Sequence, residues 1–287
     1  IMNTSSTIHA NAVPVYADVL EDRFTIDPED IERKITPKTK AISIVSVYGL
    51  PCEMDEIMRI SKKYGIPVIE DNAECFTSTY KGQMVGTIGD MASYSFENSK
   101  HMSCGEGGIL ITNNADLAKA SRKVGGHGFK NLQADEGRVK LDLDVFQNPN
   151  YKRHDSLGWN YRLSEFLSAI ALAQLENLEE IVEKRVTSAN KFLQVINECD
   201  FLKPQHVPDY STNSYWALGV VYEGQEKIGV SWEQFRREYI NNGGDGIYGA
   251  WSVPYLEPLM SERSYVSRLP TLYENTSYAK GLCPVAE

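Results

Sequence analysis

The chain has 287 residues, 42% hydrophobic and 24% charged, with 39 acidic against 29 basic side chains and a formal net charge of −10. These values are ordinary for a soluble globular protein and exclude a disordered chain, a collagen-like repeat and a small disulfide scaffold. A net negative surface repels phosphate backbones, so nucleic acid is not an expected partner, and no apolar run approaches the roughly 20 residues that span a bilayer.

The five cysteines, Cys52, Cys75, Cys104, Cys199 and Cys283, form no CxxC pair and no zinc spacing. Such a scattered, odd-numbered set fits reduced thiols in a cytoplasm. The chain opens on Ile1 and stops at Glu287, directly after Cys283-Pro284-Val285-Ala286. Both ends read as cut.

In chain order, the β-branched run Ala41 to Val47 reads as a buried strand ended by the turn Tyr48-Gly49-Leu50-Pro51. Met54, Ile57, Met58 and Ile60 recur at near-helical spacing between Glu53 and Tyr64, with Gly65 as C-cap. Ile66-Pro67-Val68-Ile69 reads as the next strand. That βαβ unit implies a mainly parallel sheet covered by helices. Strand-like runs follow at Met91 to Phe96 and Gly108 to Thr112, then a short helix from Ala115 to Val124. Phe129 to Asp155 reads as a long irregular excursion, and loops of that length are usually functional or disordered. One long helix is expected from near Leu163, with an apolar stripe through Phe166, Leu167, Ile170, Ala171, Leu175, Leu178 and Val182. From about Asn190 the pattern turns α+β, with a strand over Trp216 to Val221 and a helix over Trp232 to Asn241.

Asp71 follows an apolar strand, at the carboxyl end where open α/β sheets bind ligands. A carboxylate there can pair with a cationic ligand group; it could equally cap the next segment. Lys100 sits in a polar turn between two strands, ahead of the glycine cluster Gly105, Gly107 and Gly108. A lysine can form Schiff bases with carbonyl compounds, although by spacing alone it reads as a solvated loop residue. No P-loop and no GxGxxG is present. His101 reads as a solvated histidine, and His127 and His154 lack the partners of a metal site or triad. Gly158-Trp159-Asn160-Tyr161-Arg162 offers anion donors ahead of a helix, or a plain helix start capped by Asn160 or Ser164.

Together these segments resemble the DegT/DnrJ/EryC1/StrS sugar aminotransferases, which are fold-type I pyridoxal-phosphate enzymes. The matching pieces are Tyr48-Gly49-Leu50-Pro51-Cys52-Glu53-Met54-Asp55, Val68-Ile69-Glu70-Asp71-Asn72-Ala73-Glu74, Gly89-Asp90, and Ser95-Phe96 with Lys100 and Gly105-Glu106-Gly107-Gly108. Leu157 through Glu165 and Pro284-Val285-Ala286-Glu287 also match, so the likeness runs in order across nearly the whole chain. It implies an α/β fold: a mainly parallel sheet in a three-layer, pyridoxal-phosphate-binding large domain over residues 1–185, and a smaller α+β domain over 186–287.

The resemblance also implies roles. Lys100 would be the Schiff-base lysine and proton shuttle, and Asp71 the partner of the pyridinium nitrogen. Ala73 would pack on the ring, with Glu74 near its phenolic oxygen and Ser95 on the phosphate. Asn160 would reach the neighbouring subunit's phosphate, which makes a homodimer with shared sites. Glutamate is the implied amino donor and a nucleotide-linked keto-sugar the acceptor; the histidine spacing gives no expectation of a metal. The family's phosphate-binding Gly-Thr loop and ring-stacking aromatic precede the segment that Asn11 to Asp18 resembles, and the stretch after Pro284-Val285-Ala286-Glu287 is absent. Ser46 stands where many relatives have histidine. The alternatives are a sugar dehydratase of the same family, which carries histidine at the lysine position, and a non-catalytic regulatory protein of the same fold.

Overall fold

The computed structural model describes residues 1–264, 273–274 and 276–287. After α1 (Met2–His9) and α2 (Pro28–Lys34), the chain enters its main sheet at β1 (Ile42–Val45). It crosses through α3 (Met54–Tyr64) to β2 (Val68–Asp71), and after the hairpin β3 (Thr79–Tyr80) and β4 (Gln83–Met84) it returns as β5 (Met91–Ser95). β6 (Gly108–Ile111) closes a four-stranded sheet of order β1-β2-β5-β6. The first three strands are parallel and β6 runs antiparallel to β5. The chain is therefore α/β with a mostly parallel sheet, as expected.

Local chemistry accounts for the crossover. Met54, Ile57 and Ile60 fall on one face of α3 and are fully buried; each such side chain contributes about 2 kcal/mol through burial. They meet Ile42 and Ile44 of β1 and Val68 of β2 in one apolar cluster. Gly65 ends the helix in the left-handed region (φ 66°), where a side chain would be strained.

α4 (Ala115–Gly125) is capped by Asn114, whose side chain accepts from Asp116 N and Leu117 N. The excursion after it holds α5 (Leu143–Gln147) and two isolated bridges, Phe129 with His154 and Leu132 with Arg138. The expected single long helix is two, α6 (Glu165–Leu175) and α7 (Leu178–Ile196). Asn177 leaves helical geometry (φ −109°, ψ 4°). Its Nδ2 donates to Ala173 O at 2.8 Å, satisfying a carbonyl at the end of α6. Ser164 caps α6 by accepting from Leu167 N. The expected domain division at residue 185 falls inside α7.

The remaining elements are the antiparallel pair β7 (Leu202–Pro204) and β8 (Val220–Tyr222), then α8 (Gly224–Ile228), α9 (Trp232–Asn241) and α10 (Pro258–Ser261). The expected strand from Trp216 starts only at Val220, because Ser214 and Trp216 are bonded to the loops after β1 and β5, through Gly49 O and Ser99 O. The C-terminal segment is tied to the start of the chain. Asp18, 7% exposed, accepts from Val285 N at 3.0 Å and Ala286 N at 2.9 Å. Tyr255 donates to Glu287 Oε1 at 2.5 Å. No helix among the described residues is long and apolar enough to cross a membrane.

Candidate active site

The carboxyl ends of β1, β2 and β5 open towards one place. Asp71 is the last residue of β2, in register with Val45 and Ser93 of its parallel neighbours. Its Oδ1 accepts from Ala73 N at 3.0 Å, a turn that brings Glu74 back over the strand end. Burial raises the Asp71 carboxyl above its ordinary value, while the Ala73 N–H and the Lys100 ammonium pull it down. A cationic ligand nitrogen would compensate that burial in the same way.

Lys100 is not the solvated loop residue that local spacing suggests. Its side chain is only 13% exposed, and Nζ lies 3.6 Å from Glu74 Oε1. The same ammonium stands 4.3 Å from the centroid of the Trp216 ring. Glu74 is itself fixed, because Oε2 accepts from Tyr48 N at 3.0 Å. Tyr48 holds a positive φ (61°), a strained conformation for a residue with a side chain, and its ring lies parallel to that of Trp216. Burial, with Glu74 beside it, raises the Tyr48 phenol.

His101 also departs from the solvated reading. It is 2% exposed, with its ring against Phe76. Nε2 lies 2.9 Å from Ser214 O, so that nitrogen donates, and Nδ1 has no partner among the described residues. Burial holds its pKa down at about 4, and the charges of Arg185 and Lys100 act in the same direction.

Ser95 ends β5, and its hydroxyl accepts from Glu97 N at 3.2 Å. The turn that follows needs its glycines: Gly105 and Gly107 have positive φ, and a Cβ on Gly107 would come within 2.9 Å of Leu163 Cδ1. Asp71, Ala73, Glu74, Ser95 and Lys100 thus lie around the strand ends. Asn160 does not join them in one chain. It is exposed, bridges Gly126, and accepts from Arg162 N at 3.4 Å.

Sequence reasoning passed over the segment that closes the site. Gln205 Nε2 donates to Arg23 O at 2.6 Å, Ser214 N to Gly49 O at 3.1 Å, and Trp216 Nε1 to Ser99 O at 3.0 Å. A Cβ on Gly49 would meet Asn213 Oδ1 and Tyr215 N at 2.6 Å, so glycine is what admits this segment. In the sequence Trp216 read only as the first residue of a strand running to Val221. The backbone is still turning there, with Tyr215 at φ 49°, and the strand begins only at Val220.

The profile of the DegT/DnrJ/EryC1/StrS aminotransferase family matches residues 3–248. A GDP-perosamine synthase of Escherichia coli O157:H7 is 32% identical over 227 residues, covering 79% of this chain and 57% of that protein. The chain thus spans little more than half the length of that curated relative. Among solved structures, the aminotransferase from Psychrobacter cryohalolentis superposes with a TM-score of 0.81 at 29% identity, covering 98% of this chain and 69% of the other. A GDP-4-keto-6-deoxy-D-mannose-3-dehydratase of E. coli, solved with hydrated PLP, gives a TM-score of 0.68 at 26% identity, covering 79% and 57%. With the family profile spanning most of its length and these folds superposing on it, the chain belongs to the DegT/DnrJ/EryC1/StrS aminotransferase family.

Proposed function

We propose that this chain carries the reacting groups of a pyridoxal-phosphate enzyme that moves an amino group, with glutamate as donor, to a nucleotide-linked keto-sugar. The single observation that carries the reading is the Lys100 amine, withdrawn from water between Glu74 and Trp216 at the carboxyl ends of parallel strands. The residues present fit the cofactor. A buried carboxylate at Asp71 suits a pyridine nitrogen, an amine at Lys100 suits an aldehyde, and the Ser95 hydroxyl suits a phosphate oxygen.

When bound, pyridoxal phosphate supplies an electron sink for bonds broken at the α-carbon of an amino acid. The protein does the rest. Asp71 keeps the ring nitrogen protonated, and its burial makes that pairing strong. Lys100 holds the cofactor and moves a proton to or from the reacting carbon. Glu74, fixed by the Tyr48 N–H, orients the lysine amine. The segment around Ser214 and Trp216 covers the site and keeps water from the exchanging amino group.

The likeness to a GDP-perosamine synthase supports a sugar carried on a nucleoside diphosphate. A homodimer with shared sites accounts for Asn160, which stands outside the cluster in its own chain. Its surroundings support a covered surface: Leu157 is 77% exposed, Tyr161 69% and Phe166 86%, and Ile170, Leu172 and Leu175 of α6 lie open beside them. The five cysteines are unpaired, which supports a reducing, cytoplasmic setting.

The dehydratase reading would put a histidine where the amine stands. Against it, His101 turns its ring to Phe76 and bonds Ser214 O, while Lys100 meets Glu74. The test is an absorbance spectrum of the full-length protein with pyridoxal phosphate. Glutamate should abolish the visible band, and only a nucleotide keto-sugar that becomes aminated should restore it. A product that has lost a hydroxyl instead of gaining an amine, or a band indifferent to glutamate, would overturn the assignment.

A further inference from the structure

We infer that Trp216 is a positioning residue for the reacting lysine, holding the Lys100 ammonium on its indole face whenever that amine is not joined to the cofactor. The inference deepens the proposed function and rests on its choice of Lys100.

An ammonium within about 6 Å of a ring centroid is attracted by the ring quadrupole, more strongly where water is excluded. Lys100 Nζ lies 4.3 Å from the Trp216 centroid, and its side chain is 13% exposed. Trp216 is itself held at its ring and at its backbone. Its Nε1 donates to Ser99 O at 3.0 Å, next to the lysine, and the Trp216 carbonyl accepts from Arg185 Nη1 at 3.0 Å. The Tyr48 ring lies parallel to it, at 5° and 6.5 Å between centroids.

A long lysine side chain has several rotatable bonds, and fixing it costs conformational entropy. Glu74 at 3.6 Å supplies one contact, at a separation too long for a hydrogen bond of full strength. Trp216 supplies the second, and two contacts confine the amine to one place. The residue arrives from a distant part of the chain with strained backbone before it, since Tyr215 has φ 49°. The ring belongs to none of the three buried apolar clusters found among the described residues.

The test uses the full chain. Without added cofactor, trace acetylation followed by peptide mass analysis reads how well Lys100 is sheltered, with Lys81 as reference. Trp216→Leu should raise acetylation of Lys100 about fivefold, and Trp216→Phe, which keeps a ring face, should stay within about twofold of wild type. Loaded with cofactor, Trp216→Leu should lower kcat for the glutamate half-reaction about tenfold with KM nearly unchanged. Equal acetylation in all three chains overturns the inference, and so does an equal rise in both variants, since that would assign the effect to the lost Ser99 bond. If Trp216→Leu does not fold, the emission of Trp216 can be isolated as the difference between chains with Trp216 and with Phe. Lys100→Ala should shift that emission, and an unshifted spectrum overturns the inference. The acetylation result stands even if the cofactor proves to bind elsewhere, so the two readings fail separately.

Discussion

Glu74 places one carboxylate oxygen 3.6 Å from Lys100 Nζ and the other 3.0 Å from the backbone N of Tyr48. That single side chain links the turn after β1 to the loop after β5, so the amine is held from two strand ends at once. If the lysine is the cofactor's attachment point, borohydride treatment of protein loaded with pyridoxal phosphate should fix the label on the peptide bearing Lys100. A label on Lys81 or Lys130 would sink the assignment.

Asp71 tests the electrostatics of the same site. Its carboxyl is raised by burial and drawn back by nearby positive charge. An asparagine there could still hydrogen-bond but could not stabilise a protonated ring nitrogen. Asp71→Asn should therefore cut turnover by about two orders of magnitude or more while cofactor remains partly bound. Near-normal turnover would refute the role.

Much of this was legible in the sequence, for physical reasons. The strand that ends on Asp71 announces itself through its apolar start, Val68-Ile69, as buried parallel strands are mostly apolar. Glu70 within it is also buried, accepting from Gly86 N, Ile88 N and Gly89 N. Lys100 was placed correctly in a turn, but its burial was invisible: what covers it is Trp216, more than a hundred residues later. Local patterning carries no information about such a contact. The break between α6 and α7 was missed because the apolar stripe continues across Asn177, while the interruption depends on that side chain bonding Ala173 O.

His101 gives a pH signature. Its pKa is held at about 4 against an ordinary 6.5, chiefly by burial. The unfolded chain therefore takes up this proton first, and stability falls as pH drops from about 6.5 towards 4 with a limiting slope of about 1.4 kcal/mol per pH unit. Above the unfolded value the contribution is flat. Urea unfolding of wild type and His101→Gln, which keeps a donor for Ser214 O, should diverge only below pH 6.5, with wild type losing more. Parallel curves down to pH 4 would show that the ring charges freely in the folded protein.

Asp18 should matter for stability alone. Its buried carboxylate accepts from Val285 N and Ala286 N, closing the C-terminal segment onto the start of the chain. In Asp18→Asn one of those N–H groups would face an amide NH2. The loss should be about 2 kcal/mol, with faster hydrogen exchange at Val285 and Ala286. Unchanged exchange at those two amides would contradict the tie.

Asn160 raises the question of how many chains make one site. It lies outside the cluster of Asp71, Ala73, Glu74, Ser95 and Lys100, on an exposed stretch beside the open apolar side chains of α6. An isologous two-fold dimer would present two equivalent sites, each borrowing one Asn160 from the other chain. Lys100→Ala and Asn160→Ala should then each be inactive alone. After subunit exchange, a mixed dimer carries both lesions in one site and neither in the other, so half of its sites are intact. Random mixing of equal amounts makes about half of the dimers mixed, so activity should return to about a quarter of the wild-type level. If exchange is verified by mass and nothing returns, each chain builds its site without its neighbour and Asn160 serves the surface on which it lies.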